Sequence, residues 1–330
     1  MTAPTYHALV AAHLRRDDRP TGALERVPGA DGKLAYNPCL IAEPGHVYLA
    51  VRIESPDSYW RDPAKWDPEV RFYERTGASW VPAADTPVFT SAEDPFAAWM
   101  TEPDGRRRLV FGVVSLDYGP TPPVAVTRFY EAADIRGLDP SRPFLQVRGM
   151  KDIRLLQRAR DVVVCGRPQG GAAGIGRVSL AVAGSWRDLT AGLITGAHIF
   201  ADQVDIGTKL GANELHDLGD TVGVLGHVAV GTEGETQRYA AAWWTIDPAA
   251  MTATEPVVIA TRDDFPAAPG KFPAIADVVF PGSLEALPGG GLRLFCGLGD
   301  AVTGSAALRN VPIPDGALHR PLAEGSLRLR

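Results

Sequence analysis

Short apolar runs recur along the chain at a near-constant step, and each is entered through a polar signature. Asn37-Pro38 precedes Tyr48-Leu49-Ala50-Val51-Arg52, and Glu93-Asp94-Pro95-Phe96 precedes Leu109-Val110-Phe111-Gly112-Val113. Lys151-Asp152-Ile153-Arg154 precedes the run at 162–166, Asn213-Glu214 the run at 222–226, and Asp277 the run at 292–296. The anchors at 37, 94, 152, 213 and 277 are 57, 58, 61 and 64 residues apart. Apolar runs of this length between turn residues read as strands, and each unit has room for several. A period slightly above the usual range for repeat proteins, with several strands per unit, predicts one propeller blade per repeat. The expectation is an all-β chain forming a single five-bladed β-propeller over residues 1–330, with 1–30 as a lead-in segment. Within that lead-in, residues 6–14 read as a helical turn or two, or as a strand that closes the ring.

Composition fits this class. Apolar residues make up 45% of the chain, ample for a core, and 35 glycines with 28 prolines suit short strands joined by tight turns. A net charge of −6 argues against a nucleic-acid partner, which calls for a basic face to neutralise phosphates. The run Arg106-Arg107-Arg108 reads as a solvated hairpin turn. Cys39, Cys165 and Cys296 are odd in number and without paired spacing, so neither a disulfide framework nor a zinc motif is expected. They read as small buried hydrophobes. No metal and no cofactor are expected. The start of the chain lacks the charged and apolar regions of a signal peptide, and no stretch approaches about 18 apolar residues, so the reading is a cytoplasmic protein with no membrane partner. Its oligomeric state is left open. The glycine-rich segment 170–176 lacks the Lys-Ser/Thr and strand–helix context of a phosphate loop and reads as a turn between two strands. Trp80 and Trp186 read as packing residues at blade edges.

Residues at equal phase in five repeats meet around one axis. Here they are Asn37, Asp94, Asp152, Asn213 with Glu214, and Asp277, with Arg52, Arg167, His227 and Asp300 as a second set. Any one of these has a simpler structural reading, as an Asx-turn or an Asp-Pro turn. Together, in phase, they predict a pocket, because carboxylates crowded beside cations and amides are costly to desolvate without partners. Carboxyl pairs suit general acid and base work on glycosidic bonds. Lys151, Arg154 and Arg167 would bind an anion such as a phosphate or a sugar carboxylate.

At these residues the chain resembles the five-bladed β-propeller glycosidases, above all glycoside hydrolase family 130, which contains mannoside phosphorylases and hydrolases. Tyr36-Asn37-Pro38 with Arg52 is similar to that family's first-blade Asn and Arg. Glu93-Asp94-Pro95 is similar to its Glu-Asp-Pro-Arg motif, whose Asp is the proton donor. Lys151-Asp152 with Arg167-Pro168-Gln169 is similar to its third-blade pattern, in which the Arg-Pro contributes to the anion site. Gly226-His227-Val228 resembles the fourth-blade histidine, and 277–282 with 297–300 resembles the fifth-blade strand and its terminal Asp. A closer likeness is to a group of propellers of unknown function with Met-Lys-Asp-Ile-Arg and Gly-Asn-Glu signatures, here 150–154 and 211–214 with Ala212 interposed. Phe96 stands where the family has a phosphate-binding arginine, and Arg154 is a candidate substitute. The fourth-blade order is Gly-His rather than His-Gly.

The resemblance implies an inverting glycoside hydrolase or phosphorylase acting on a small carbohydrate, with mannosides as candidate substrates and inorganic phosphate as co-substrate of a phosphorylase. Asp94 is then the first-choice acid and Asp152 the second. Glu214 or Asp277 would be the base if water attacks. Asn37, Arg52, Lys151, Arg154, Arg167, Asn213, His227 and Asp300 would bind sugar or anion. Two alternatives stand beside this reading. One is a furanosidase using Asp94, Asp152 and Glu214. The other is a non-catalytic propeller that holds a sugar or a protein.

Overall fold

A computed structural model of the chain describes residues 3–28, 32–170, 174, 176–232, 234–287 and 290–309. The chain opens with a helix, α1 (Tyr6–Leu14), capped by the Thr5 hydroxyl, and a strand, β1 (Thr21–Glu25). Residues 6–14 are thus helical, the first of their two readings, and the strand lies further on, at Thr21–Glu25. A first sheet holds β2 (Leu34–Glu43), β3 (His46–Glu54), β4 (Glu69–Thr76) and β5 (Ser79–Pro82), with β6 (Phe89–Thr90) also on β4. A second holds β7 (Glu93–Thr101), β8 (Arg107–Asp117), β9 (Val124–Ala132) and β10 (Leu145–Arg148). The third holds β11 (Met150–Gln157), β12 (Val162–Pro168) and β13 (Ser179–Ala183), then α2 (Ala191–Thr195) and β14 (His198–Ile199).

The last sheet has nine strands. It joins β15 (Lys209–Leu218), β16 (Thr221–Val230), β17 (Arg238–Asp247), β18 (Thr252–Ala253) and β19 (Val257–Ala260) to β20 (Asp277–Ala286), β21 (Leu292–Leu298) and β22 (Val302–Leu308). The join is narrow: two parallel pairs, Arg238 with Asp277 and Tyr239 with Val278. Beyond β22 lies β1, paired antiparallel from Thr21 opposite Ala307 to Glu25 opposite Thr303. The first and last described strands thus lie side by side.

The leading strands β2, β7, β11, β15 and β20 pack each beside the next, and β20 returns to β2. Apolar side chains fill the spaces between neighbouring strand groups in five clusters. Phe72, Phe89, Phe111 and Tyr130 pack between the first and second groups, with ring centroids 4.9–6.3 Å apart. Trp80 meets Phe295 edge-on at 5.9 Å, and Trp186 is buried between the second and third groups, as packing residues should be. All three cysteines are buried and free. Arg106 lies in the β7–β8 turn, where it pairs with Asp104. The glycine-rich turn between β12 and β13 lies partly outside the described residues. Among those described, no helix is long and apolar enough to cross a membrane.

Candidate active site

Each leading strand carries one β-bulge. The register shifts between Tyr36 and Cys39, Glu93 and Phe96, Lys151 and Arg154, Ala212 and Glu214, and Pro281 and Ser283. A bulge re-aims a side chain that regular pleating would send between the sheets. In the first three strands its leading residue takes a left-handed backbone: Asn37 at φ 49°, Asp94 at 51° and Asp152 at 52°. Asn and Asp adopt that region more readily than bulkier residues. Pro38 and Pro95 follow two of them, where the bulge leaves no ladder position for an N–H.

The fifth bulge corrects the sequence reading. Its residue is Gly282, and a Cβ there would lie 1.8 Å from the Pro38 carbonyl oxygen. Backbone approach requires glycine at this point, so the fifth repeat contributes no polar side chain at the bulge. Asp277 is instead the first residue of β20, about half exposed, with one oxygen 3.3 Å from Arg238 Nε. It does not join the other anchors.

Across from the approach to three of the bulges stand members of the second set. Arg52 faces Tyr36, Arg167 faces Lys151, and His227 faces Gly211. Asn37 donates to Asp94 Oδ1 at 2.8 Å, and Arg52 Nη1 lies 3.4 Å from the same oxygen. Glu93 lies 3.1 Å from Arg52 and 2.8 Å from Lys151. Arg52 also donates to the fully buried Glu54 at 3.0 Å, which receives Lys271 at 2.5 Å and the Tyr36 hydroxyl. Arg167 pairs with Asp152, whose oxygen is 4.0 Å from His227 Nε2. The other His227 nitrogen is 2.8 Å from Asn213 Oδ1, and its ring lies between Tyr239 and Phe280 at 5.2 and 5.1 Å. Asp300 holds a left-handed turn residue (φ 50°) between β21 and β22, within electrostatic reach of Arg52, Asp94 and Glu54.

These surroundings push neighbouring carboxyls in opposite directions. Burial raises Asp94, and the charge of Glu93 raises it further, against Arg52 and Lys151. Burial would also raise Glu93, but Lys151 and Arg52 hold it below the usual range. Asp152 is buried as well, yet Arg167 draws it down to about 2. Burial lifts Asp300 to about 6, with Asp94 and Glu54 adding to the effect against Arg52. Burial drives His227 down to about 3, so it is a neutral ring at ordinary pH. A carboxyl raised by burial beside one lowered by cations is the arrangement of an acid and its electrostatic support.

Arg154 and Glu214 lie past the bulges, toward the other end of the leading strands. Arg154 Nε donates to Asn213 O at 2.6 Å, Nη1 donates to Ile153 O at 2.9 Å, and the guanidinium lies 4.5 Å from the Phe96 ring centre. Glu214 Oε2 accepts the Leu284 N–H at 2.8 Å and lies 3.1 Å from His216 Nε2. Both line a cavity of about 570 Å³ enclosed by the C-terminal halves of the leading strands, with Asn213 at its inner end. Five residues of the charged cluster were missed as site residues from sequence: Tyr36, Glu54, Glu93, Tyr239 and Lys271. Glu54 was within reach, because it lies two residues after Arg52 on the same strand face. Lys271 comes from the irregular segment before β20, where no repeat phase applies. Among the described residues no group of three or more His, Cys, Asp or Glu could hold a metal ion.

Solved structures share this fold. A mannose phosphorylase from Leishmania mexicana, solved with a phosphate ion, superposes with a TM-score of 0.76 at 22% identity over 92% of both chains. A GDP-Man-dependent mannosyltransferase from the same organism gives 0.79 at 22% identity, over 95% of this chain and 96% of that one. A structure from the GH130 family, described as mannoside phosphorylases containing glycoside hydrolases that target β-1,2 mannosidic linkages in Candida mannan, gives 0.57 at 12% identity, over 88% and 95%. No curated protein matches the sequence significantly. The profile of the family described as "Protein of unknown function (DUF1861)" matches residues 21–312, nearly the whole described chain, and the protein belongs to that family.

Proposed function

We propose that this protein is a carbohydrate-active enzyme on a single five-bladed β-propeller, and that it transfers a mannosyl group between a glycoside and inorganic phosphate. The blades are β2–β6, β7–β10, β11–β14, β15–β19, and β20–β22 completed by β1. The return of β20 to β2 and the five interblade clusters support that division. The buried free thiols suit a reducing compartment, the cytoplasm.

The observation that carries the reading is the pairing of raised Asp94 with lowered Glu93 inside a cluster of cations. Asp94 donates its proton to the leaving glycosidic oxygen as the C–O bond breaks. Phosphate attacks the anomeric carbon from the opposite face, and the configuration inverts. Arg52, Lys151, Arg167 and Lys271 stand among Glu54, Glu93 and Asp152, while burial biases Asp94 and Asp300 toward their neutral forms. A site rich in cations suits a phosphate. The likeness to a phosphorylase solved with phosphate supports the same choice of nucleophile. Asn37, Asp300 and the His227–Tyr239 stack would hold the sugar.

The test is product analysis on a panel of mannosides and arabinosides, with and without phosphate. Mannose phosphate formed only when phosphate is present is the expected outcome. Free sugar in both arms would replace the phosphorylase with a hydrolase. Tight sugar binding without turnover would make the propeller a binding module.

A further inference from the structure

We infer that the cavity at the far end of the channel is a second ligand site, one that takes a small organic anion with an apolar body. Its walls are mostly apolar, from Ile41, Phe96, Trp99, Leu155 and Leu215. At its inner end stands Arg154, itself 4% exposed. The guanidinium is held by two backbone carbonyls and the Phe96 face, and among the described residues no carboxylate pairs with it. Asp152 and Asp94 attract it only from the opposite side of the bulges. A buried charge without a paired counter-charge is costly, and an anion entering the cavity would complete it.

Two further residues lining the cavity each carry a buried nitrogen that makes no hydrogen bond. Asn213 is 4% exposed and its Nδ2 has no hydrogen-bond partner, because its Oδ1 is turned to His227. His216 is 3% exposed, and its Nε2 is also without a hydrogen bond, lying near Glu214 but out of line. A buried amide donor is normally satisfied, so the free Asn213 Nδ2 beside Arg154 points to a bound polar head group. Two carboxylates also line the cavity. Glu214 is engaged by the Leu284 N–H, and Asp217 is exposed at the mouth. The volume of about 570 Å³ lies in the range of small-molecule sites.

The probe is octanoate, titrated calorimetrically against full-length protein, with 1-octanol as its neutral counterpart. Octanoate should bind saturably and about tenfold more tightly than octanol, the discrimination expected of a charge-assisted hydrogen bond. Arg154→Met should abolish that preference and Arg154→Lys should keep part of it. Ala159 lines the mouth and is exposed, so its variants carry little folding risk. Ala159→Glu should weaken octanoate about twofold to threefold at low salt and Ala159→Lys should strengthen it by a similar factor. Binding should persist in Asp94→Asn, which separates this site from the proposed catalytic one. Absent saturation, equal affinity for octanol, or indifference to charge at 159 would each overturn the proposal.

Discussion

Glu93 and Asp94 are adjacent in the chain, yet their surroundings push the first toward its ionised form and the second toward its protonated form. The difference comes from the bulge, which turns Glu93 toward Lys151 and Arg52 and leaves Asp94 with one amide donor and the edge of Arg52. Asp94→Asn should lower turnover by about 10²-fold or more while the melting temperature stays near wild type. Glu93→Gln removes the charge that helps raise Asp94, so the alkaline limb of the pH–rate profile should move to lower pH. An unmoved limb would assign that limb to another group. Buried histidines give a separate pH signature. His216 and His227 are both depressed by burial from 6.5 to about 3. Below pH 6.5 the unfolded chain takes up protons that the folded protein refuses, so stability should fall from about pH 6.5 toward 3. Asp152, drawn down from 3.8 to about 2, adds a loss over the last part of that range, since the unfolded carboxyl protonates first. Each histidine contributes on the order of 1 kcal/mol per pH unit, and His216→Gln should flatten the slope of urea stability against pH.

At the scale of the element, the repeated bulge is the unit of construction, and its glycine is its most exacting residue. Gly282→Ala would place a methyl group 1.8 Å from the Pro38 carbonyl, a backbone atom with little room to move. Destabilisation of about 2 kcal/mol or more is expected in thermal or urea denaturation, well above the cost at a solvent-facing glycine such as Gly77, where a Cβ meets nothing within 4 Å but φ is positive. This element also separates what the sequence disclosed from what it hid. Asn37, Asp94 and Asp152 were legible because they share type, phase and a following strand. Asp277 misled because the repeat was anchored on a polar residue, whereas the fifth bulge has none. Glu214 was in phase but lies beyond the bulge. There it satisfies the exposed inner edge of β20, as Ser283 does for Leu40 at 3.0 Å. Leading strands have one unpaired edge toward the axis, and their N–H groups need such acceptors. A periodicity of residue types cannot distinguish a carboxylate that caps an edge from one that meets substrate.

On the scale of the whole molecule, α1 and β1 tie the start of the described chain to its last sheet. α1 is pinned by His13, whose ring nitrogens lie 2.7 Å from Asp264 and 3.2 Å from Val258 O, and Arg19 donates to the same carboxylate at 2.8 Å. β1 then covers the outer edge of β22. Deleting residues 1–26 should bare that edge and leave Asp264 with a buried negative charge. The truncated protein should melt lower and self-associate in light scattering, with β22 as the pairing edge. A monodisperse truncation with wild-type stability would show that closure at this seam is dispensable.

That seam also sets a timetable for biosynthesis. Thr21 pairs with Ala307, so β1 must wait for a partner strand made 307 − 21 = 286 residues later. At about 5–20 residues per second the interval is roughly 15–60 s. The other blades can assemble from neighbouring segments as they appear, but β1 spends that time as an unpaired strand, open to capture by another chain or a chaperone.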